Sequence, residues 1–191
     1  MIDLPPDFLY TVAGRAPGGK GALQRQIIDA ITPGLADTLA RFEINTVDRV
    51  AYWAGQVSHE SDSFCTTAEY ASGAAYEGRG DLGNTEGGDG RRFKGRGLIQ
   101  LTGRANYVAA SAALGLDLMK DPTLAAEPVN ALIIACWFWQ RHGLNALADL
   151  PEDVDPPKIE QITRKVNGGL NGIVQRDEAT DRAFKALGID T

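Results

Sequence analysis

The chain has 191 residues, with 25 acidic and 19 basic side chains and a formal net charge of -6. Hydrophobic residues make up 43% of it and charged residues 23%. This composition is typical of a globular domain and excludes a disordered chain, and the absence of any repeat period excludes a solenoid or a coiled coil. The acidic balance argues against a nucleic-acid partner, because phosphates are bound mainly by Lys and Arg.

Residues 1–21 are rich in Pro and Gly and predict an irregular N-terminal arm ahead of a single catalytic domain over residues 22–191. The chain does not open with a basic segment followed by an apolar run, so we expect no signal peptide and synthesis in a cytoplasm. The most apolar stretch, 131–139, is shorter than the ~20 residues that span a bilayer. Cys65 and Cys136 lack the spacing of a zinc site and predict buried thiols. We expect a monomer without metal or cofactor.

Apolar residues recur at helical spacing after the arm. Pro33 divides two short helices, and a third helix begins at Thr46, a good N-cap. This third helix places His59 and Glu60 in its last turn. Further helices are predicted over residues 106–114, 128–142, 158–166 and 173–187.

Between residues 73 and 103 the chain holds ten of its 22 glycines. Each Gly inside a helix costs about 1 kcal/mol relative to Ala, so this stretch predicts loop and short strand. The whole chain is therefore predicted to be mainly α-helical, with a glycine-rich insert lining a groove. Side chains that carry chemistry concentrate at the end of the third helix and in this insert, as expected for groups mounted on loops between helices.

Carboxylic acids follow one another closely in this region: Glu60, Asp62, Glu69 and Glu77. Hydrolysis of a glycosidic bond uses two carboxyl groups, one that protonates the leaving oxygen and one that activates water. A carboxyl group can act as the acid near neutral pH when burial raises its pKa. The residues alone favour solvated surface carboxylates over a catalytic pair, because helix ends commonly carry acids.

Other motifs in the chain predict less. A zinc protease helix needs a second His four residues after His59, and the only other one is His142. Residues 78–83 match a three-glycine nucleotide motif, but no hydrophobic strand precedes them. A cluster of basic residues in the insert is expected to pair with acids of the same loop. The cluster consists of Arg91, Arg92, Lys94, Arg96 and Arg104.

Three segments, His59-Glu60, residues 93–107 and residues 162–169, resemble glycoside hydrolase family 19 in the expected order. The family comprises chitinases and the related phage endolysins and bacterial lysozyme-like enzymes, and the likeness runs from about residue 36 to the C-terminus. The long motif FKGRGLIQLTGRANY over residues 93–107 is specific. The resemblance implies a lysozyme-like, two-lobed helical fold with a sugar-binding cleft.

The resemblance also implies roles for individual residues. Glu60 matches the general acid of the family. Compact bacterial members place the general base nine residues later, at Glu69, and Glu77 is the alternative. Thr102 matches a hydroxyl that helps hold the attacking water.

Amide and basic side chains complete the implied site. Gln100, Asn106 and Asn167 match amides that bind the sugar or its N-acetyl group, since an amide both donates and accepts hydrogen bonds. Asn167 equally fits a helix stop beside two glycines. Arg176 matches a basic residue that supports the catalytic carboxylates, and His59 is expected to support the end of the third helix.

The sequence departs from the family where Asp62-Ser63 replaces two glycines. The added carboxylate is expected either to raise the pKa of Glu60 or to pair with an arginine of the insert.

The activity implied is hydrolysis with inversion of the bond between N-acetyl sugars. Peptidoglycan glycan strands are the preferred substrate, cleaved at the cell wall in the periplasm by a lysis enzyme released through a holin-type route. This preference rests on short motifs such as Tyr76-Glu77-Gly78-Arg79, which resemble phage lysins more than secreted chitinases. Chitin or its oligomers are the alternative substrate. A non-catalytic glycan-binding protein is a second alternative.

Overall fold

The computed structural model describes residues 2–189, and within this range the chain is built from ten α-helices joined by loops and 3-10 turns. The helices are α1 (Phe8–Ala13), α2 (Gly21–Ile31), α3 (Leu35–Arg41), α4 (Val47–Glu60), α5 (Asp89–Arg92), α6 (Arg104–Leu114), α7 (Pro128–Arg141), α8 (Leu144–Ala148), α9 (Lys158–Asn167) and α10 (Ile173–Ala186). The 3-10 turns are Pro17–Gly19, Thr32–Gly34, Ala74–Tyr76, Gly80–Leu82 and Pro122–Ala126. The prediction of a mainly helical fold is confirmed.

The helix ends follow the local signals of the sequence. Thr46 caps α4, because its side-chain oxygen accepts a hydrogen bond from the backbone N–H of Arg49 at 3.3 Å. Pro128 opens α7, where its missing N–H costs nothing. Gly168 ends α9 in the left-handed region with φ 78°. Glu60 is therefore the last residue of α4, in the turn where it was predicted.

The expectation of an irregular arm over residues 1–21 is wrong for the part that the structure describes, and Met1 lies outside that part. This segment contains α1 and a 3-10 turn. Phe8, Leu9 and Val12 are all buried, and α1 packs against α10 and α4. A helix of six residues is unstable alone, so burial of this apolar face supplies the stability that local propensity lacks.

The core is organised around α4, which is buried along most of its length and packs most extensively against α10. Gly55 permits this close approach, since a β-carbon there would lie 2.0 Å from Thr180 Oγ1 and 3.0 Å from the backbone oxygen of Arg176. The last turn of α4 and the first turns of α10 are therefore held side by side. This contact places Glu60 next to Arg176.

The glycine-rich insert, residues 73–103, contains loops, two 3-10 turns and the short helix α5. Instead of the expected short strands, the described chain has two isolated antiparallel bridges, one from Ala68 to Arg96 and one from Arg96 to Leu101. The expected pairing of the basic cluster with acids of the insert is confirmed only for Arg104, which contacts Asp89 at 2.5 Å and Glu86 at 2.7 Å. Among the described residues, Arg92, Lys94 and Arg96 donate to backbone oxygens instead.

The Asp89 carboxylate is buried, and its hydrogen bond with the Arg104 guanidinium lowers its pKa. A carboxyl group whose pKa is lowered on folding stabilises the protein above its unfolded pKa of about 4 and loses that contribution at lower pH. We therefore expect Asp89→Asn to destabilise the protein by about 2 kcal/mol at pH 7. Thermal unfolding followed at pH 7 and at pH 3 tests this. The difference in stability between Asp89→Asn and the parent protein should be smaller at pH 3 than at pH 7. A difference in stability that is the same at both pH values would contradict the prediction.

Cys65 and Cys136 are both free and buried, as predicted. Burial raises the pKa of each thiol. Within residues 2–189, none of the helices is both long and apolar enough to cross a membrane.

Candidate active site

A cavity of about 560 Å³ lies beside the end of α4, bordered by α10, the N-terminal 3-10 turn and the loop that follows α4. Glu60, Glu69 and Gln100 all line it, so the structure brings the two preferred carboxylates and one predicted amide to a single space. The remaining lining residues are Pro17, Ser58, His59, Asp62, Ser63, Thr66, Tyr70, Gln175, Glu178, Ala179 and Arg182.

Glu60 is held by Arg176 from α10. The two side chains meet at 2.5 Å between Arg176 Nη2 and Glu60 Oε1, with 2% of the arginine and 18% of the glutamate side chain exposed. Arg176 also donates to Gln56 Oε1 at 2.7 Å and to the backbone oxygen of Asn171 at 3.0 Å. The guanidinium is fixed by these bonds, and it fixes one oxygen of Glu60.

His59 closes the same corner of the cavity. A β-carbon at Gly172 would lie 2.1 Å from His59 Cε1, so the imidazole ring packs directly on the backbone that leads into α10. Gly172 has φ 71°, a value that glycine adopts without strain. Burial, and then the charge of Arg176, lower the pKa of His59, so the ring is neutral at pH 7. His59 thus joins the end of α4 to the start of α10.

Glu69 receives a hydrogen bond on each carboxylate oxygen. The backbone N–H of Gly95 donates to Oε1 at 3.1 Å, and the hydroxyl of Tyr76 donates to Oε2 at 2.9 Å. Burial, and then the Glu69 contact, raise the pKa of Tyr76, so the hydroxyl keeps its proton and acts as the donor. The orientation of the carboxylate is therefore set before any substrate arrives.

Gly95 lies where three of the predicted site residues meet. A β-carbon there would lie 2.8 Å from Gln100 Oε1, 3.3 Å from Thr102 Oγ1 and 3.4 Å from Glu69 Cδ. Thr102 donates its hydroxyl proton to the backbone oxygen of Gln100 at 2.8 Å. The side chains of Glu69, Gln100 and Thr102 thus surround one α-carbon that carries no side chain of its own.

A second, smaller cavity of about 160 Å³ adjoins the first, and Gln100 lines both. Thr102 and Asn106 line the second cavity, and Asn106 donates to the backbone oxygen of Thr102 at 2.8 Å. The other lining residues are Leu82, Ile99, Leu101, Trp137, Phe138, Arg141, His142 and Val166. The motif over residues 93–107 therefore borders both cavities, with Gln100 shared between them.

Two predicted site residues lie elsewhere. Both oxygens of Glu77 accept hydrogen bonds from the backbone of the insert, from Gly88 N at 2.6 Å and from Gly90 N at 2.9 Å. Glu77 lines neither cavity and clamps the insert instead. Asn167 is the last, exposed residue of α9 and also lines neither cavity.

Asp62 does not pair with an arginine of the insert, contrary to one of the two expectations. Its carboxylate binds Lys20 at 2.5 Å and the hydroxyl of Tyr70 at 2.9 Å. Lys20 lies 42 residues away along the chain, so no local pattern indicated this ammonium as the partner. Asp62, Ser63 and Phe64 have φ of 54°, 59° and 58°, where a residue other than Gly costs roughly 1–2 kcal/mol.

Replacing Tyr76 by Phe removes the hydroxyl that holds Glu69 and keeps the ring. We expect kcat to fall about tenfold, since a loss of roughly 1.4 kcal/mol of positioning corresponds to that factor, while KM stays near the parent value. Steady-state kinetics on a soluble oligosaccharide measure both parameters. Tyr10→Phe is the matched control, because Tyr10 makes the same kind of bond to Asp29, at 2.7 Å, outside both cavities. Equal effects of the two substitutions would contradict a positioning role.

Two glutamates line one cavity of this helical protein, with an amide and a hydroxyl gathered beside one of them. A pair of carboxyl groups in one cleft is the arrangement that glycoside hydrolases use. The comparison with known families agrees with this class. The chain belongs to glycoside hydrolase family 19, since the family model described as chitinase class I matches residues 32–146.

Relatives of known sequence cover the chain beyond that match. An endochitinase of Arabidopsis thaliana is 32% identical over 171 residues, which cover 87% of this chain and 56% of that protein. A glycosyl hydrolase family 19 domain-containing protein of Haemophilus influenzae is 36% identical over 109 residues, which cover 56% of this chain and 49% of that protein. The chain thus spans about half the length of these curated relatives.

Solved structures confirm the predicted fold. The family 19, class IV chitinase of Zea mays superposes with a TM-score of 0.66 at 21% identity, covering 97% of this chain and 93% of that one. Chitinase C of Streptomyces griseus superposes with a TM-score of 0.62 at 19% identity, covering 98% of this chain and 78% of that one.

Proposed function

We propose that the protein hydrolyses the glycosidic bond between N-acetyl sugars with inversion, Glu60 acting as general acid and Glu69 as general base. The observation that carries the proposal is that these two side chains line one cavity and are held by separate parts of the fold. Inversion requires carboxyl groups about 6.5–9.5 Å apart, so that a water molecule fits on the face of the sugar opposite the leaving group.

The contacts of Glu60 leave one of its two oxygens available for the role of the acid. Oε1 is bound to Arg176, while Oε2 makes no hydrogen bond to any residue between 2 and 189. Oε2 is therefore the oxygen that carries the proton toward the glycosidic oxygen. Arg176 and His59 hold the end of α4 at the cavity that Glu60 lines.

The surroundings of Glu69 support its role as the base. Each oxygen accepts one hydrogen bond and retains a lone pair that can accept a proton from water. The hydroxyl proton of Thr102 is engaged with Gln100, so the Thr102 oxygen accepts the second proton of that water. Gln100 lines both cavities and Asn106 lines the smaller one, so these two amides are available to the acetamido group. Asn167 lines neither cavity, but its neighbour Val166 lines the smaller one, and Asn167 is the third amide of the proposal.

Peptidoglycan glycan strands are the substrate that we propose first. The sequence of residues 76–84 resembles phage lysins more than secreted chitinases. In this role the protein acts on the cell wall after release through a holin-type route.

Chitin and chitooligosaccharides are the second candidate substrate. The observation that favours them is that several relatives, including the protein of Arabidopsis thaliana, carry the name endochitinase.

Two assays run in parallel test these proposals. The purified chain is incubated with chitooligosaccharides and with outer-membrane-permeabilised bacteria, and the released fragments are identified by mass and by the anomeric form of the new reducing end. Loss of turbidity with new reducing ends supports peptidoglycan, and cleavage of oligomers alone supports chitin. Products of retained configuration contradict the mechanism. Binding without any product supports a non-catalytic glycan-binding protein and overturns the proposed activity.

A further inference from the structure

Three residues from separate segments meet at one edge of the larger cavity. Lys20 precedes α2, Asp62 follows α4, and Tyr70 follows Glu69 directly. Lys20 Nζ lies 2.5 Å from Asp62 Oδ2 and 2.9 Å from the Tyr70 hydroxyl, which itself lies 2.9 Å from Asp62 Oδ2. We call this arrangement the Tyr70 cluster.

Asp62 has a backbone conformation that is unfavourable for residues other than glycine. Its φ of 54° is one that Gly adopts without strain. The hydrogen bond to Asp62 raises the pKa of Lys20, so the ammonium stays charged in the cluster. An aspartate at this position therefore contributes a contact that glycine lacks, and that contact ties Tyr70 to the N-terminal part of the chain.

The Tyr70 ring is exposed to an unusual extent. With 71% of its surface accessible, it is the most exposed of the large hydrophobic residues in the part of the chain that the structure describes. The ring is nevertheless fixed, because its hydroxyl is bound by both Lys20 and Asp62. A fixed aromatic ring loses little side-chain entropy when a ligand covers it, which makes it a favourable contact surface.

We propose that the Tyr70 ring stacks on the pyranose ring of an N-acetyl sugar bound next to the cleaved bond, and that Lys20 and Asp62 are positioning residues for it. The proposal rests on the proposed function, since it takes the larger cavity as the sugar site. A pyranose ring presents an apolar C–H face, and aromatic faces attract such C–H groups. Tyr70 follows Glu69 in sequence and lines the same cavity, so the stacked sugar lies close to the hydrolysed bond.

Variants of the three residues separate stacking from positioning. Tyr70→Ala removes the ring, and we expect KM for a soluble chitooligosaccharide to rise about five- to tenfold with kcat little changed. Tyr70→Phe and Asp62→Asn keep the ring but weaken its attachment, and we expect a smaller rise of about two- to threefold. Val174→Ala is the control, because Val174 is 59% exposed on α10 and lines neither cavity.

The measurements distinguish a failure of the proposed function from a failure of the stacking role of Tyr70. If the parent protein cleaves no sugar polymer, the proposed function fails. If the parent protein cleaves the oligomer and Tyr70→Ala leaves KM unchanged, or lowers kcat alone, stacking by Tyr70 is overturned while the proposed function stands. Isothermal titration of the oligomer into Glu60→Gln and into the double variant Glu60→Gln/Tyr70→Ala measures binding without turnover. We expect the double variant to bind the oligomer about five- to tenfold more weakly than Glu60→Gln does. Equal affinities of the two variants would overturn the inference.

Discussion

Replacing Glu60 by Gln is expected to lower turnover by about 10²- to 10⁴-fold, the range that a positioned general acid contributes. The amide keeps the shape of the carboxylate but has no proton to give to the glycosidic oxygen. Its oxygen still accepts a hydrogen bond from Arg176, which retains Gln56 and the Asn171 carbonyl as partners. We therefore expect the fold to remain intact, with a loss of stability of about 1–2 kcal/mol.

Initial rates on a soluble oligosaccharide, together with thermal unfolding of each variant, test this expectation. Glu160→Gln is the matched control, because Glu160 also pairs with an arginine, Arg164 at 3.5 Å, but lies outside both cavities. The control should keep the parent rate. Undiminished hydrolysis by Glu60→Gln would show that another group is the acid.

Replacing Gly55 by Ala is expected to destabilise the protein by about 2–3 kcal/mol, the cost of forcing extra volume into a packed core. The added methyl group would lie 2.9 Å from the backbone nitrogen of Thr180 as well as close to its side chain. Moving the Thr180 side chain alone does not relieve the clash, so α4 and α10 must separate. Because Glu60 and Arg176 lie on these two helices, we expect activity to fall as well.

Circular dichroism during thermal unfolding measures the effect, which should appear as a melting temperature lowered by roughly 5–10 °C. Gly21→Ala is the control, since only the Arg25 side chain, at 3.6 Å, would lie near the new methyl group. There we expect equal or slightly increased stability, because Ala restricts the unfolded chain more than Gly does. A Gly55→Ala protein that melts like the control would contradict the close packing of α4 on α10.

Local features of the sequence determined most of the helices and the identity of the family. The signals used were the apolar spacing, the Thr46 cap, Pro128 and Gly168. Each of them acts on residues close by in the sequence, so it can be recognised without knowledge of the fold. The same local reasoning failed for α1, whose six residues are helical only because Phe8, Leu9 and Val12 are buried against helices far along the chain.

The larger cavity depends on contacts that no local pattern encodes. Spacing along the chain allowed either Glu69 or Glu77 to face Glu60. The tertiary structure gives Glu69 a place in the cavity and binds Glu77 to the backbone of the insert, because the direction of a side chain in a loop is set by the groups that satisfy it.

The sequence by itself determined which residue types were available for acid–base chemistry and placed Glu60 at the end of a helix. The family resemblance pointed to Arg176 as a support for the carboxylates, and the tertiary structure pairs it with Glu60 across 116 residues. Only the tertiary structure decided that Lys20 is the partner of Asp62, across 42 residues. Hydrogen bonds and ion pairs form between atoms a few ångströms apart, and separation along the chain carries no information about that distance once the helices have packed.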